Sequence, residues 1–177
     1  MPDRPTDIEV SVIRTPEAMR DALGIRSRVF VEEQHVPIEE EVDAFDERPG
    51  ERDDVVHVLV RLRGEPVATA RLLLGHHADT SGSRNGASTE ASEAGEGHGY
   101  PHIGRVAVLA EHRGSGLGRV VMDALHQEAR TRGERGITLA AQLHAIPFYE
   151  RLGYLAHGPV YLDAGIEHRE MDYVFEE

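Results

Sequence analysis

A glycine-rich loop between a strand and an amphipathic helix constrains the fold of this chain more than any other feature. The loop is Arg113-Gly114-Ser115-Gly116-Leu117-Gly118. An apolar strand pattern precedes it at residues 102–109, and apolar residues at three- and four-residue spacings follow it as far as Ala129. Glycines let a backbone turn sharply and present successive N–H groups, while a helix N-terminus adds a positive dipole end. The pattern predicts a phosphate-binding loop that suits a pyrophosphate.

This loop departs from two common nucleotide-binding patterns. It lacks the Lys of a Walker-type loop and the Ser or Thr that would bind magnesium. The strand before it follows a long meander and does not open a β-α-β array, which argues against a dinucleotide-binding fold. Helices also begin after glycines for purely structural reasons, so the loop alone does not establish a ligand.

The remaining pattern predicts a mixed α/β fold. Antiparallel strands come first and a β-α-β crossover follows, so we expect a central, mostly antiparallel sheet with flanking helices. We expect a single domain over residues 1–177, with a flexible low-complexity insertion at residues 75–100 that is rich in Gly, Ser, Ala and Glu. Besides the strand at 102–109, strands are predicted at 8–12, 55–62, 66–74, 137–143, 160–162 and 170–175, and helices near Pro16, from Leu117 to Ala129 and at 146–152.

The composition limits the chemistry and the partners. There is no Cys, so a disulfide framework, a zinc ribbon and an acyl-thioester on the enzyme are excluded. The 32 acidic residues outnumber 19 basic ones, giving a formal net charge of −13, and every basic residue is Arg. Acid excess without Lys fits the molar salt of a halophilic archaeon, whereas a GC-rich genome would explain only the missing Lys. We expect a cytoplasmic protein that binds neither nucleic acid nor membrane.

Three stretches together resemble the GNAT acetyltransferases. In that superfamily an Arg/Gln-x-x-Gly-x-Gly/Ala loop binds the pyrophosphate of acetyl-CoA, and Arg113, Gly116 and Gly118 occupy those places. The preceding residues 103–108 resemble the family's fourth strand, and residues 145–154 its last helix and turn. Further similarity to the ElaA-like and YjcF-like branches spans nearly the whole chain, in residues 30–37, 141–142 and 165–171. The insertion at 75–100 departs from those branches.

This resemblance implies acetyl transfer from acetyl-CoA directly to an amine in a ternary complex. A bulge near Val106 would expose main-chain groups to the pantetheine arm. Tyr149 occupies the position of the general acid that protonates the leaving thiolate, and a core aromatic residue is the competing interpretation. The residues expected to bind the co-substrate are Val106, Ala107, Val108, Arg113, Gly114, Ser115, Gly116, Leu117, Gly118 and Arg119.

The attacking amine must also lose a proton, and the sequence offers several candidates for the base. Glu33 is preferred, with His102, His144 and His168 as alternatives, and a solvated helix charge is the competing interpretation of Glu33. Glu33, Gln34, His144 and His168 are expected to bind the acceptor. The irregular spacing of His76, His77, His98 and His102 argues against a metal site, and no metal cofactor is expected. Arg105, Arg113, Arg119 and Arg151 are candidates for pairing with a phosphate.

Two functions from different classes stay open on the sequence. The first is an active N-acetyltransferase acting on a small amine, an amino sugar, an amino acid or a peptide N-terminus. The second is a catalytically silent acyl-CoA-binding regulatory or interaction module. Retention of Tyr149 favours the enzyme. A homodimer is possible, and the acceptor is not specified by the sequence.

Overall fold

The computed structural model describes residues 7–74 and 99–176, so the predicted insertion lies outside it apart from its last two residues. The described chain forms seven strands and four α-helices. The strands are β1 (Ile8–Val12), β2 (Val55–Leu62), β3 (Glu65–Leu73), β4 (His102–Val108), β5 (Gly136–Gln142), β6 (Leu155–Asp163) and β7 (Ile166–Val174). The helices are α1 (Pro16–Arg26), α2 (Ile38–Glu41), α3 (Leu117–Thr131) and α4 (Ile146–Arg151).

The strands form a mixed sheet in the order β1-β2-β3-β4-β5-β7-β6. The pair β4 and β5 is parallel, with His102 opposite Thr138, and α3 makes the crossover between them. The pairs β1–β2, β5–β7 and β6–β7 are antiparallel. The predicted fold class, a mostly antiparallel mixed sheet with a β-α-β segment and flanking helices, is therefore confirmed.

The first helix begins and ends for identifiable reasons. Thr15 caps it by accepting a hydrogen bond from the Ala18 N–H at 3.2 Å, and Pro16 occupies the first turn, where no N–H partner is needed. After Arg26 the chain widens into a π-helical segment, Ser27–Glu33, which the sequence did not predict. Widened turns of this kind occur frequently at functional sites. The segment carries Glu33 at its end.

Contacts between residues divide the chain into two compact units, each described here by itself. The first comprises the described part of Met1–Arg71 together with Arg105–Gln127. Its apolar core packs the inner face of α1 against β2 and β4. The core residues are Ile13, Met19, Ala22, Ile25, Val29, Leu59, Ala107 and Leu109.

The same unit contains a buried ion cluster around Arg26, which is 1% exposed. Its guanidinium donates to Glu41 Oε1 and Asp46 Oδ1, both at 2.6 Å. Arg71 donates to Asp43 Oδ2 at 2.6 Å and to Asp46 Oδ1 at 3.3 Å. Burial opposes the ionisation of Asp46, but the hydrogen bond and charge of Arg26 outweigh it and keep the pKa of Asp46 below its ordinary value. The cluster anchors the acidic segment after α2 to the strands.

A buried histidine borders this cluster. Burial lowers the pKa of His57 to about 4, against the opposing effects of the Phe45 carbonyl and the Asp46 carboxylate. At neutral pH the ring is therefore uncharged. Its Nε2 lies 2.9 Å from the Phe45 carbonyl oxygen, so the neutral ring serves as a hydrogen-bond donor from that atom.

The second unit comprises the described part of Leu72–Gly104 and Glu128–Glu177. Ile137, Leu139 and Met171 form a buried apolar face at exposures of 2% or less. The strands β6 and β7 begin earlier than the predicted 160–162 and 170–175. The register of β6 shifts between His157 and Tyr161, where Gly158 adopts a φ of +74°. The glycine at this irregularity interrupts the alternation of apolar and polar residues along β6. The sequence pattern therefore predicted a strand shorter than the one observed.

Candidate active site

The predicted phosphate loop is an open turn that leads into α3. Gly114 and Gly116 adopt φ values of +82° and +87°, a left-handed conformation that glycine adopts without strain. A Cβ built on either glycine would meet no atom within 4 Å, so the space above the loop is open. Ser115 Oγ donates to the His112 carbonyl at 2.5 Å and braces the turn. The first N–H groups of a helix have no acceptor within the helix, and those that follow Gly116 are therefore suited to an anion.

The strand before the loop departs from regular geometry close to the predicted bulge. Arg105, in the middle of β4, has a φ of +55°, one residue before Val106. Ala107 is buried at 2% exposure, while Val106 and Val108 are half-buried. Arg105 donates from Nε to the Glu41 carbonyl at 3.1 Å and lies 3.3 Å from Glu41 Oε1. Its guanidinium therefore belongs to the ion cluster, and its pairing with a phosphate stays a prediction.

Arg113 and Glu33 lie next to each other in the structure, although the sequence predicted that Arg113 binds a phosphate and Glu33 accepts a proton from the amine. Arg113 Nη2 donates to Glu33 Oε2 at 2.6 Å, and Arg113 Nε donates to the Val108 carbonyl at 3.0 Å. Both side chains are substantially exposed, at 47% for Arg113 and 36% for Glu33. The expected phosphate ligand and the expected base thus form an ion pair. Gln34 ends the π-helical segment directly after Glu33.

The other two basic candidates lie at the surface. Arg119 belongs to the first turn of α3 and lies 3.9 Å from Asp123 one turn later, with both side chains about two-thirds exposed. Arg151 is exposed at the end of α4. Leu117 is buried at 2% exposure and fixes the start of α3, whereas Gly118 is half-buried.

In the second unit, Tyr149 lies on α4 and is 8% exposed. Its ring meets Phe148 and Tyr154 edge to face, with centroid distances of 5.0 and 5.9 Å. Burial raises the pKa of the Tyr149 phenol well above its ordinary value. The phenol therefore keeps its proton throughout the physiological pH range, as a proton donor must before the reaction.

The predicted histidines differ in their environments. His144 is exposed on a short 3-10 turn before α4. His168 lies on β7, where its Nδ1 is 2.7 Å from the Ile166 carbonyl oxygen and its ring stacks on Tyr161. His102 lies at the start of β4, whereas His76, His77 and His98 lie outside the described residues. Within residues 7–74 and 99–176, no group of three or more His, Asp and Glu side chains could hold a metal ion.

The strand β7 carries a second group of titratable side chains, which was not predicted from the sequence. Glu170 and Asp172 follow His168 at two-residue spacings on β7, so the three side chains share one face of the strand. The alternation of His, Glu and Asp in this segment was visible in the sequence. What was not visible was the partner strand, which adds His157 and Tyr161 opposite them.

Comparisons with known proteins identify relatives that cover most of the chain. A family model described as an acetyltransferase (GNAT) domain matches residues 86–175. The chain is 32% identical over 161 residues to the uncharacterised N-acetyltransferase YjcF of Bacillus subtilis, covering 90% of this chain and 95% of that protein. The expected similarity to the YjcF-like branch is confirmed.

Solved structures agree with the sequence relatives. An acyl-CoA N-acyltransferase from Pseudomonas aeruginosa is 28% identical, with a TM-score of 0.70 over 93% of this chain and 98% of that one. ElaA of Escherichia coli is 25% identical, with a TM-score of 0.71 and the same coverage of the two chains. Among the helices of the described residues, none is both long enough and apolar enough to span a membrane.

Proposed function

The chain belongs to the GNAT acetyltransferase family, and we propose that it transfers the acetyl group of acetyl-CoA directly to a primary amine in a ternary complex. The observation that supports this best is the loop at Arg113–Gly116, whose glycines adopt the left-handed conformation and whose upper surface is open. The acidic composition supports a protein adapted to molar salt. In molar salt the Debye length falls to about 3 Å, so the surface carboxylates hardly repel a distant anion and short N–H contacts determine anion binding.

The loop and the start of α3 would hold the pyrophosphate of acetyl-CoA. The N–H groups that follow Gly116 supply hydrogen bonds, and the positive end of a 15-residue helix supplies a favourable field. Arg113 would turn from Glu33 to the phosphate, which its exposure permits. The main chain around Val106 would pair with the pantetheine arm next to the irregular Arg105.

In the proposed reaction, the amine nitrogen forms a bond to the thioester carbon and the carbon–sulfur bond breaks. Glu33 receives the proton that the amine loses, through water. Tyr149 donates its phenolic proton to the departing sulfur. Since burial raises the pKa of this phenol, transfer requires a direct hydrogen bond to a sulfur in an equally dry environment. The acceptor side would also use Gln34, His144 and His168.

Glu33 has two roles in this proposal, and a single substitution separates them. Replacing Glu33 by Gln is expected to tighten acetyl-CoA binding by up to about fivefold, because Arg113 no longer has to leave an exposed ion pair worth at most about 1 kcal/mol. The same change is expected to lower kcat, because the proton acceptor is lost. Calorimetry gives the Kd and steady-state kinetics give kcat. Glu32→Gln, one residue earlier and also exposed, should change neither. Weaker binding with unchanged kcat would contradict both roles.

Thermal unfolding with and without acetyl-CoA tests the loop without knowledge of the acceptor. In about 2–3 M KCl, ligand at 100 times its Kd should add about 2.7 kcal/mol and raise Tm by roughly 5–10 °C, whereas ATP should not. Gly116→Asp should abolish the shift by placing a carboxylate in the loop. Gly133→Asp is the matched control, because Gly133 has a φ of +76° and equally open surroundings at the other end of α3.

The outcomes of this experiment are distinct. An acetyl-CoA shift that Gly116→Asp removes and Gly133→Asp retains supports the acyl-CoA site. No shift in a folded sample refutes it. A shift without acetyl transfer to any amine in a broad panel would identify the chain as a catalytically silent acyl-CoA-binding module.

A further inference from the structure

Arg105 adopts a backbone conformation that is unusual for its place in a strand. Among the described residues other than glycine, the left-handed conformation occurs also in turns and loops, at His35, Arg48, Arg63 and Ala164. Arg105 instead lies inside β4, with a φ of +55°. A Cβ makes this conformation unfavourable, so it persists only where the surrounding structure enforces it. The contacts of the Arg105 side chain show what enforces it.

The guanidinium of Arg105 is bound at the end of α2. Its Nε donates to the Glu41 carbonyl at 3.1 Å, and its Nη2 donates to the Glu40 carbonyl at 3.2 Å. The last carbonyls of a helix have no donor within the helix, so the rigid fork of a guanidinium suits this position. Nε also lies 3.3 Å from Glu41 Oε1, and Nη2 lies 3.6 Å from Asp43 Oδ2. Hydrogen bonds and ion pairs together therefore fix this side chain.

The end of α2 is itself held by buried groups. Arg26, which is 1% exposed, donates to Glu41 Oε1 at 2.6 Å and to the Glu41 carbonyl at 2.8 Å. Asp43 accepts a hydrogen bond from Arg71 at 2.6 Å. Salt screens such buried pairs much less than exposed ones. Arg105 therefore links β4 to an anchored part of the first unit.

The conformation of Arg105 sets the direction of the chain that follows it. Its φ differs by about 180° from that of a regular strand, so relaxation to a regular strand would turn the peptide group of Val106. The main chain around Val106 is the part of β4 that would pair with the pantetheine arm. Further along, the Leu109 N–H donates to the Val67 carbonyl at 3.0 Å, which fixes the chain beyond the irregularity to β3.

We propose that Arg105 is a positioning residue for the pantetheine arm of acetyl-CoA. Its guanidinium, bound to the end of α2, holds residue 105 in the left-handed conformation that orients the main chain of Val106. The proposal rests on the proposed acyl-CoA site. It gives the ion cluster a role in binding the co-substrate besides its role in stability. Arg105 acts here through the backbone of its neighbour and requires no contact with a phosphate.

Alanine and glycine at position 105 separate the effect of the backbone from that of the side chain. Both Arg105→Ala and Arg105→Gly remove the guanidinium, but glycine enters the left-handed region about as readily as the ordinary one. Alanine disfavours that region, so Arg105→Ala should raise the Kd of acetyl-CoA roughly 5- to 30-fold. Arg105→Gly should raise it by no more than about twofold. Calorimetry on the full chain gives both values, and unfolding in urea shows that each variant is folded.

Two controls exclude a general loss of packing. Arg63 has a φ of +52° in the exposed turn after β2, so Arg63→Ala should leave the Kd of acetyl-CoA unchanged. Adenosine 3′-phosphate 5′-diphosphate is the part of CoA without the pantetheine arm, and its Kd should be the same in wild type and both Arg105 variants. The KM for acetyl-CoA should rise in Arg105→Ala with kcat nearly unchanged, because the residue acts on binding.

Equal Kd values for acetyl-CoA in Arg105→Ala and Arg105→Gly would overturn the positioning role. Weaker binding of the fragment without the arm in both variants would also overturn it, and would indicate a contact with a phosphate. Arg105→Lys keeps a cation beside Asp43 and serves where the other variants fail to fold. One ammonium group cannot reproduce the fork, so this variant should also raise the Kd of acetyl-CoA, and an unchanged Kd would refute the proposal.

The same measurements distinguish this proposal from the proposed function. No binding of acetyl-CoA to the wild-type chain would refute the acyl-CoA site itself, and the positioning role with it. Binding that Arg105→Ala weakens and Arg105→Gly retains, without acetyl transfer to any amine, would refute the reaction and leave the positioning role supported. Acetyl transfer with a KM for acetyl-CoA that neither variant changes would refute the positioning role alone.

Discussion

Replacing Tyr149 by Phe is expected to lower kcat by about 10²-fold or more while leaving acetyl-CoA binding nearly unchanged. The substitution removes only the hydroxyl group that would protonate the leaving thiolate. The ring and its edge contacts with Phe148 and Tyr154 remain. Steady-state kinetics with saturating acetyl-CoA gives the change in kcat, and calorimetry gives the Kd.

Tyr154→Phe is the matched control for this experiment. Tyr154 is also a buried tyrosine, 1% exposed, and it contacts Tyr149 directly. Its substitution should leave kcat within about twofold when rates are normalised to folded protein, since Tyr154 is assigned no proton transfer. Equal turnover in wild type and Tyr149→Phe would reduce Tyr149 to a core aromatic residue. Equal losses in the two variants would indicate a packing effect.

Replacing Arg26 by Met is expected to lower the free energy of unfolding by about 3–5 kcal/mol, a large part of the stability of an ordinary domain. The variant keeps an unbranched side chain of similar length but leaves Glu41 and Asp46 buried without their main cation. Equilibrium unfolding in urea measures the loss. Urea is preferred to guanidinium because it does not screen ion pairs.

Arg28→Met provides the comparison two residues later in the chain. Arg28 pairs with Glu111 at 3.1 Å, and the two side chains are 52% and 49% exposed. Because exposed ion pairs contribute little, Arg28→Met should lower the free energy of unfolding by less than about 1 kcal/mol. Molar KCl should reduce the contribution of Arg28 to the free energy of unfolding. The contribution of Arg26 should stay nearly the same, because salt screens buried ion pairs much less than exposed ones. Similar losses in the two variants would show that the cluster is not a buried electrostatic anchor.

Much of the fold could be predicted because the local patterns were unambiguous. The run Val55–Leu62 is almost continuously apolar and β-branched, and its predicted bounds match β2. The loop at Arg113 and the helix that follows were predicted from glycine chemistry and apolar spacing. The π-helical widening after Arg26 was not predictable, because the apolar spacing of an ordinary helix continues through it.

Contacts between charges far apart in the sequence could not be predicted. Arg113 and Glu33 are 80 positions apart, and Arg26 is 20 positions from Asp46. With 32 acidic and 19 basic residues, the number of possible pairs is too large for composition to select among them. Tertiary structure selects the pairs, and it also places Arg105 in the ion cluster.

The irregular strand β6 has a consequence for self-association. It is the last strand of the sheet, and Leu155, Val160 and Leu162 on it are 76%, 49% and 68% exposed. An apolar edge strand normally offers a template on which another chain can add a strand and begin aggregation. The register shift around Gly158 distorts the ladder, and Pro159 removes one N–H donor from it. The register shift around Gly158, which kept the full length of this strand from being predicted, therefore also disfavours intermolecular β-sheet formation in a concentrated solution.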